Sequence, residues 1–294
     1  MTRPAPLSYG IITPARDERS NLERLARSVL AQSHRPTTWI VADDGSTDGT
    51  EVLAAELSAE HPWIEALPAA AKAAGEVSEG RREGRALVTF RSGVRAIRFP
   101  VGVVVKVDAD TSFDADYFRE LMTRFAEQPD LGIAGGACWE FEDGEWVRRK
   151  VTPTHPRGAS RAYRWECLNA VMELEPRMGW DGLDEIKVAL QGYRSVAFTD
   201  IGFCHHRKVG ARERARLRNG TAMGRAAWHM GYRPSYLLLR TLYRAWREPS
   251  AIGMPAGFLA AAIQRSPRHS DPAVLARIRD EQRLRVVLRR GRLP

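Results

Sequence analysis

The sequence predicts an α/β domain on a mixed, mainly parallel sheet flanked by helices, with a helical extension after it. Three observations predict this. Short apolar runs alternate with helix-period stretches through the first half of the chain. Three of the apolar runs end in polar, acid-rich clusters. Charge is unevenly divided: from Ile201 onward there are 20 Lys+Arg against 5 Asp+Glu, and the first 200 residues hold 25 against 31.

Taken in order, "YGIIT" (Tyr9–Thr13) is a short apolar strand. "SNLERLARSVLAQ" is a helix in which Ser20 is expected to cap, Glu23 follows three residues later, and Leu22, Leu25, Ala26 and Val29 share one face. "TTWIVADDGS" is a second strand, ending in acids and Gly45. "TDGTEVLAAELSAE" is a second helix, capped by Thr47 or Asp48. Ala69 to Gly84 is rich in Ala, Gly and charge and reads as a loop. Val101–Val107 is a buried strand, followed by a helix near Ala115–Glu127 that Asp114 or Asp116 caps, and by "LGIAGGAC" as a further strand. "PRGASRAYRWECLNAVMELEP" reads as a helix beside the acceptor site with Arg161, Tyr163 and Arg164 accessible.

Composition narrows the class. The 294 residues are 44% hydrophobic and 28% charged, as in ordinary globular chains. The N-terminus has no basic stretch followed by an apolar one, so no signal peptide is expected. The longest apolar stretch, Ile252 to Ile263, is about a dozen residues and contains Pro255; a spanning helix needs roughly 20. Cys138, Cys167 and Cys204 lack metal-type spacing and are odd in number, which fits free, mostly buried thiols in a reducing, cytoplasmic setting.

In open α/β sheets, ligands bind outside the carboxyl ends of the strands. "TPARDE" (Thr13–Glu18), "ADDGS" (Ala42–Ser46) and "DAD" (Asp108–Asp110) would all line that crevice. Two carboxylates one residue apart can reach a single hard cation, Mg²⁺ or Mn²⁺, shared with substrate phosphates. Asp43 and Asp44 could accept hydrogen bonds from a base or ribose, although Asp-Gly is also a good turn former.

Together, "IITPARDERSNLERLARSVLAQSHRP", "WIVADDGSTDGT" and "VVVKVDADTSFDADY" resemble the opening of the inverting, nucleotide-sugar-dependent glycosyltransferases of family 2, which have the GT-A fold. The resemblance runs from about Tyr9 to His206. It implies that Pro14, Ala15, Arg16 and Glu18 contact the nucleotide, with Asp17 where the family often has Asn. It implies that Asp43 and Asp44 lie near the nucleobase, and that Asp108 and Asp110 form the D-x-D motif, Asp110 being the direct metal ligand. "GRALVTFRSG" keeps Arg85 and Gly93 of a family stretch but lacks its Asn, so Arg85 is left between binding a phosphate and facing solvent.

An inverting transfer needs a base at the acceptor hydroxyl and stabilisation of the departing diphosphate. "MGWDGLDEIKVALQGYRS" is the candidate base stretch. Asp184 is favoured over Asp181, with Asp184 and Glu185 opening a helix that Gly192 ends; capping is the bland alternative. Trp180 could stack on an acceptor or belong to the core, with Glu185 beside it on the acceptor side. Members of the fold often add a metal-binding histidine after the last core strand, here His205 or His206 in "GFCHHRKVG". Neighbouring residues on an extended chain point opposite ways, so one of the two would face the ion. Arg207 and Lys208 could meet the diphosphate.

The expected organisation is a catalytic domain over residues 1–209 and an Arg-rich amphipathic extension over 210–294. In the extension, "RPSYLLLRTLYRAWREP" interleaves arginine with Leu, Tyr and Trp. That pattern suits an interfacial helix on an anionic membrane surface, or helices packed on the domain with a solvated Arg face. Nucleic acid is not an expected partner, because no reading motif accompanies the charge. The expected enzyme uses a UDP-sugar and a lipid-linked or glycan acceptor, peripherally on the inner face of the cell membrane. The competing readings are a nucleotidyltransferase, which would not need the "WDGLDE" base, and a non-enzymatic binding protein.

Overall fold

The computed structural model describes residues 4–69, 81–206, 211–246, 249–283 and 285–286. The chain divides into two compact units. One comprises Met1–Glu76, Arg85–Leu174 and Gln191–Arg207; the other comprises Val77–Gly84, Glu175–Leu190 and Lys208–Pro294. The Glu175–Leu190 segment, expected inside a 1–209 domain, thus groups with the later helices.

The first unit is built on a sheet of β1 (Tyr9–Ala15), β2 (Thr38–Asp43), β3 (Ile64–Leu67), β4 (Val103–Val107), β5 (Thr111–Phe113), β6 (Leu131–Glu142), β7 (Glu145–Arg148), β8 (Ser160–Arg164) and β9 (Arg194–His205). Their spatial order is β3-β2-β1-β4-β8-β6-β9-β5, with β7 paired to β6. β3, β2, β1 and β4 are mutually parallel. β8 is antiparallel to both β4 and β6, and β9 is parallel to β6. Two reversals cancel, so β1, β2, β4, β6 and β9 all end at the same edge.

Local chemistry explains the elements. The continuous burial of β2 and β4 marks strands covered on both faces. Helix α1 (Arg19–Leu30) buries Leu22, Leu25, Ala26 and Val29, the face its periodicity predicts. Its N-cap position is Glu18 rather than Ser20. Asp48 serves two helix starts: its carboxylate accepts from the N–H of Arg19 and from the N–H and hydroxyl of Thr50, the first residue of α2 (Thr50–Glu60). Asp116 holds the N-cap position of the later helix Tyr117–Glu127, but its carboxylate pairs with Ser33 and Arg119 instead. The expected loop at 69–84 lies largely outside the described residues, and a helix begins at Arg81 (Arg81–Ala96).

One expectation is overturned. Residues 160–164 are a strand in mid-sheet, not a helix beside an acceptor, and Arg161 and Tyr163 are fully buried. The buried Arg161 and half-buried Arg164 are satisfied by backbone acceptors. Arg161 donates to the Pro156 carbonyl, and Arg164 donates to the carbonyls of Leu131, Phe125 and Gln128.

The second unit contains the helices Trp180–Leu190, Ala211–His229, Pro234–Ala245, Gly253–Ile263 and Pro272–Glu281. Ala227, Leu237, Ala251 and Met254 form a small apolar core there. Helices 211–229 and 253–263 meet backbone to backbone: a Cβ on Gly224 would lie 2.0 Å from the Met254 carbonyl oxygen, and one on Gly257 2.0 Å from that of Thr221. No helix among the described residues is long and apolar enough to cross a membrane.

Candidate active site

The common carboxyl edge gathers the polar clusters. β1 and β2 end in register, Ala15 opposite Asp43, and the Asp44 N–H donates to the Ala15 carbonyl. The two following loops are stitched together. Asp17 sits at φ 53°, a left-handed conformation that Asp and Asn tolerate better than other side chains, and its carboxylate accepts from the Thr47 N–H at 2.7 Å.

Asp43 is buried, and its carboxylate is spent on a turn, accepting from the N–H groups of Gly45 and Ser46 and from the Ser46 hydroxyl. Asp44 is more open and pairs with Arg85 at 2.7 Å and Arg16 at 3.8 Å. Both arginines also donate to its backbone carbonyl. Arg85 braces an acid in the candidate nucleotide region. Pro14 and Glu18 are half-buried at the same edge.

At the end of β4, ligand atoms of Asp108, Asp110 and His205 all lie within 4.8 Å of one another. His205 reaches Asp110 Oδ1 with Nε2 at 3.1 Å. The histidine pair is resolved by strand alternation. β9 extends through His205 rather than stopping before it, and pairs His205 with Thr111 of β5. His206 points away: its Nε2 meets the Ser112 hydroxyl at 2.7 Å and its ring stands edge-on to Trp146. Arg207 and Lys208 lie outside the described residues.

Two carboxylates and an imidazole are a donor set that fits a hard or borderline divalent cation. Burial opposes charging of His205. Its interactions with Asp110, Cys138 and Glu140 outweigh that and push its pKa up to about 11, so a cation held there would have to displace a proton. Lys106, which sequence reading passed over as part of an apolar strand, is buried and donates to Asp108 and to the Gly158 carbonyl at 2.9 Å. A lysine inside a valine run was the available signal.

The acids of "WDGLDE" all lie within the helix Trp180–Leu190. Asp184 is in its second turn, not at its start, and is 0% exposed, with Oδ1 accepting from the Glu185 N–H at 2.6 Å. Capping is thereby excluded as its role. Asp181, one turn earlier, and Glu185 are half-buried. Trp180 is 5% exposed, a core placement without an open face for an acceptor to stack on. Cys138 and Cys167 are buried free thiols and Cys204 is half-buried.

The family model for glycosyl transferase family 2 matches residues 10–75. No curated protein sequence matches. Among solved structures, the fold is similar to the mannosyltransferase PcManGT from Pyrobaculum calidifontis, in complex with GDP-Man and Mn²⁺, at 17% identity and TM-score 0.60, covering 92% of this chain and 78% of that one. It is similar to residues 1–349 of S. aureus TarS at 14% identity and TM-score 0.57, covering 97% and 92%. It is also similar to GalNAc-T7 with UDP, GalNAc and Mn²⁺, at 12% identity and TM-score 0.62, covering 98% of this chain and 58% of that one. The glycosyl transferase family 2 model thus matches the first strands, and the fold is GT-A, as in these glycosyltransferases.

Proposed function

We propose that the protein is a metal-dependent, inverting glycosyltransferase. It moves a sugar from a nucleoside-diphosphate sugar, with UDP the favoured carrier, to a hydroxyl of a lipid-linked or glycan acceptor in cell-surface polysaccharide assembly. The observation that carries this reading is the convergence of Asp108, Asp110 and His205 at the sheet edge where the family-matched strands β1 and β2 also end. Two structures of the same fold were solved with a nucleotide ligand and Mn²⁺.

In this reading Asp108, Asp110 and His205 hold Mg²⁺ or Mn²⁺, which supplies positive charge to the departing diphosphate. The β1–α1 and β2–α2 loops, with Pro14, Ala15, Arg16, Glu18, Asp43 and Asp44, form the nucleotide side, Asp44 being the acid whose carboxylate is not consumed by a turn. Arg85 acts there through Asp44. The base is Asp181 or Asp184. Partial exposure favours Asp181 for direct contact with an acceptor hydroxyl, because a fully buried carboxylate reaches an acceptor only after rearrangement.

The extension is the proposed membrane contact. In the second unit, Leu238 and Leu242 on the helix Pro234–Ala245, Trp246 and Ile252 after it, and Leu259 and Ile263 on the helix Gly253–Ile263 are exposed, Trp246 at 92% and Leu242 at 73%. Six large apolar side chains in the Arg-rich part of the chain suit shallow insertion at an anionic surface.

Thermal denaturation with UDP, GDP or dTDP, each with and without Mn²⁺, tests the enzymatic reading. A metal-dependent rise in Tm with one of them is expected. Indifference to all of them rejects the reading.

A further inference from the structure

We infer that Glu140 is the positioning residue that sets which ring nitrogen of His205 faces the candidate metal site. The inference rests on the metal reading above and goes one shell further out. β6 and β9 pair in parallel with Glu140 opposite His205. Residues opposite each other on neighbouring strands project to the same face. Nε2 lies 3.1 Å from Asp110 Oδ1 and Nδ1 lies 3.5 Å from Glu140 Oε1, with the Cys138 thiol also in the group formed by His205 and Glu140, their ligand atoms within 4.8 Å of one another.

An imidazole on a strand has a roughly two-fold choice about χ2. The hydrogen bond made by one nitrogen decides which nitrogen is left to a metal. Glu140 is itself immobilised. It is buried, and Arg149, just past β7, places Nε 2.7 Å from Glu140 Oε2 while its Nη1 reaches Glu142 at 2.8 Å. The β6–β7 turn, with Asp143 and Gly144 both at positive φ, folds Arg149 back onto Glu140. A partner wanted only for Arg149 is already present in the half-exposed Glu142. Burying a second carboxylate costs solvation; at Glu140 Oε1 that cost is offset by the His205 ring at 3.5 Å and by Arg157 Nη1 at 3.7 Å.

The test is Mn²⁺ binding by the full chain, read by electron paramagnetic resonance of free Mn²⁺. Glu140→Leu is expected to weaken binding about 10–100-fold. Glu140→Gln, which keeps an acceptor oxygen, is expected to lose markedly less. In a His205→Ala background Glu140→Leu is expected to add little further loss, whereas a general structural role predicts additive losses. Wild-type binding with Glu140→Leu within twofold of it overturns the inference while leaving the metal reading intact. Absence of Mn²⁺ binding by the wild type overturns both. Should Glu140→Leu fail to fold, ¹⁵N shifts of His205 in the Mg²⁺-loaded wild type decide. Protonated Nδ1 with unprotonated Nε2 is expected, and the opposite tautomer overturns the inference.

Discussion

At the scale of single residues, the candidate metal set yields the sharpest expectation. Asp110→Asn keeps the size and most hydrogen bonding of a side chain that meets His205 at the sheet edge, but removes a charged ligand. Turnover is expected to fall by orders of magnitude with little change in the melting curve. Near-normal activity of this variant with Mg²⁺ or Mn²⁺ present would discard Asp110 as a ligand. The base is decided by a pair of substitutions. Whichever of Asp181→Asn and Asp184→Asn removes the base should cost about 10²–10⁴-fold in turnover and leave UDP binding unchanged, since the base acts on the acceptor. Asp184 is fully buried, so Asp184→Asn should also move Tm if its role is structural. Full activity of both variants would exclude this helix as the source of the base.

Elements show where local preference and packing compete. In an isolated helix, replacing Gly by Ala stabilises by up to about 1 kcal/mol. At Gly257 the added methyl meets the Thr221 carbonyl oxygen at 2.0 Å, a backbone atom that cannot rotate away. Overpacking of this kind costs about 1–3 kcal/mol, so the tertiary term exceeds the propensity term. Gly257→Ala is therefore expected to lower the melting temperature, and a variant that melts at or above the wild type would show that the two helices separate freely. β8 makes the same point in the sheet. Its arginines are kept there by carbonyl acceptors of distant segments, a resource that local sequence does not reveal.

At the scale of the whole molecule, charge and apolar exposure make separable contributions to membrane binding. The Arg-rich part should bind anionic vesicles and largely ignore neutral ones. Raising salt from 0.1 M to 1 M shortens the Debye length from about 10 Å to about 3 Å, so flotation should be reduced but not abolished. Replacing Leu238, Leu242, Trp246, Ile252, Leu259 and Ile263 by Ser should remove the salt-resistant remainder. Tyr236, half-buried and held largely away from solvent, is not part of that set. Recovery of the intact chain in the unbound fraction with anionic vesicles at low salt would refute the membrane assignment.

The sequence by itself determined what depends on short-range pattern. The helical face Leu22–Leu25–Ala26–Val29, the valine strand before Asp108 and the polar ends of β1, β2 and β4 follow from periodicity and side-chain type, and those strand ends are the candidate site's main frame. Alternation along an extended chain also required that only one of His205 and His206 face the cluster. Which one was decided by tertiary structure alone, because strand register against β5 and β6 is a relation between segments far apart in the chain. The same holds for Glu140 beside His205, Arg85 on Asp44, and Asp43 turned inward. Asp184 passed from an expected helix start to a buried second turn for the same reason: burial belongs to the neighbours that packing supplies, and the residue's own flanking sequence does not carry it.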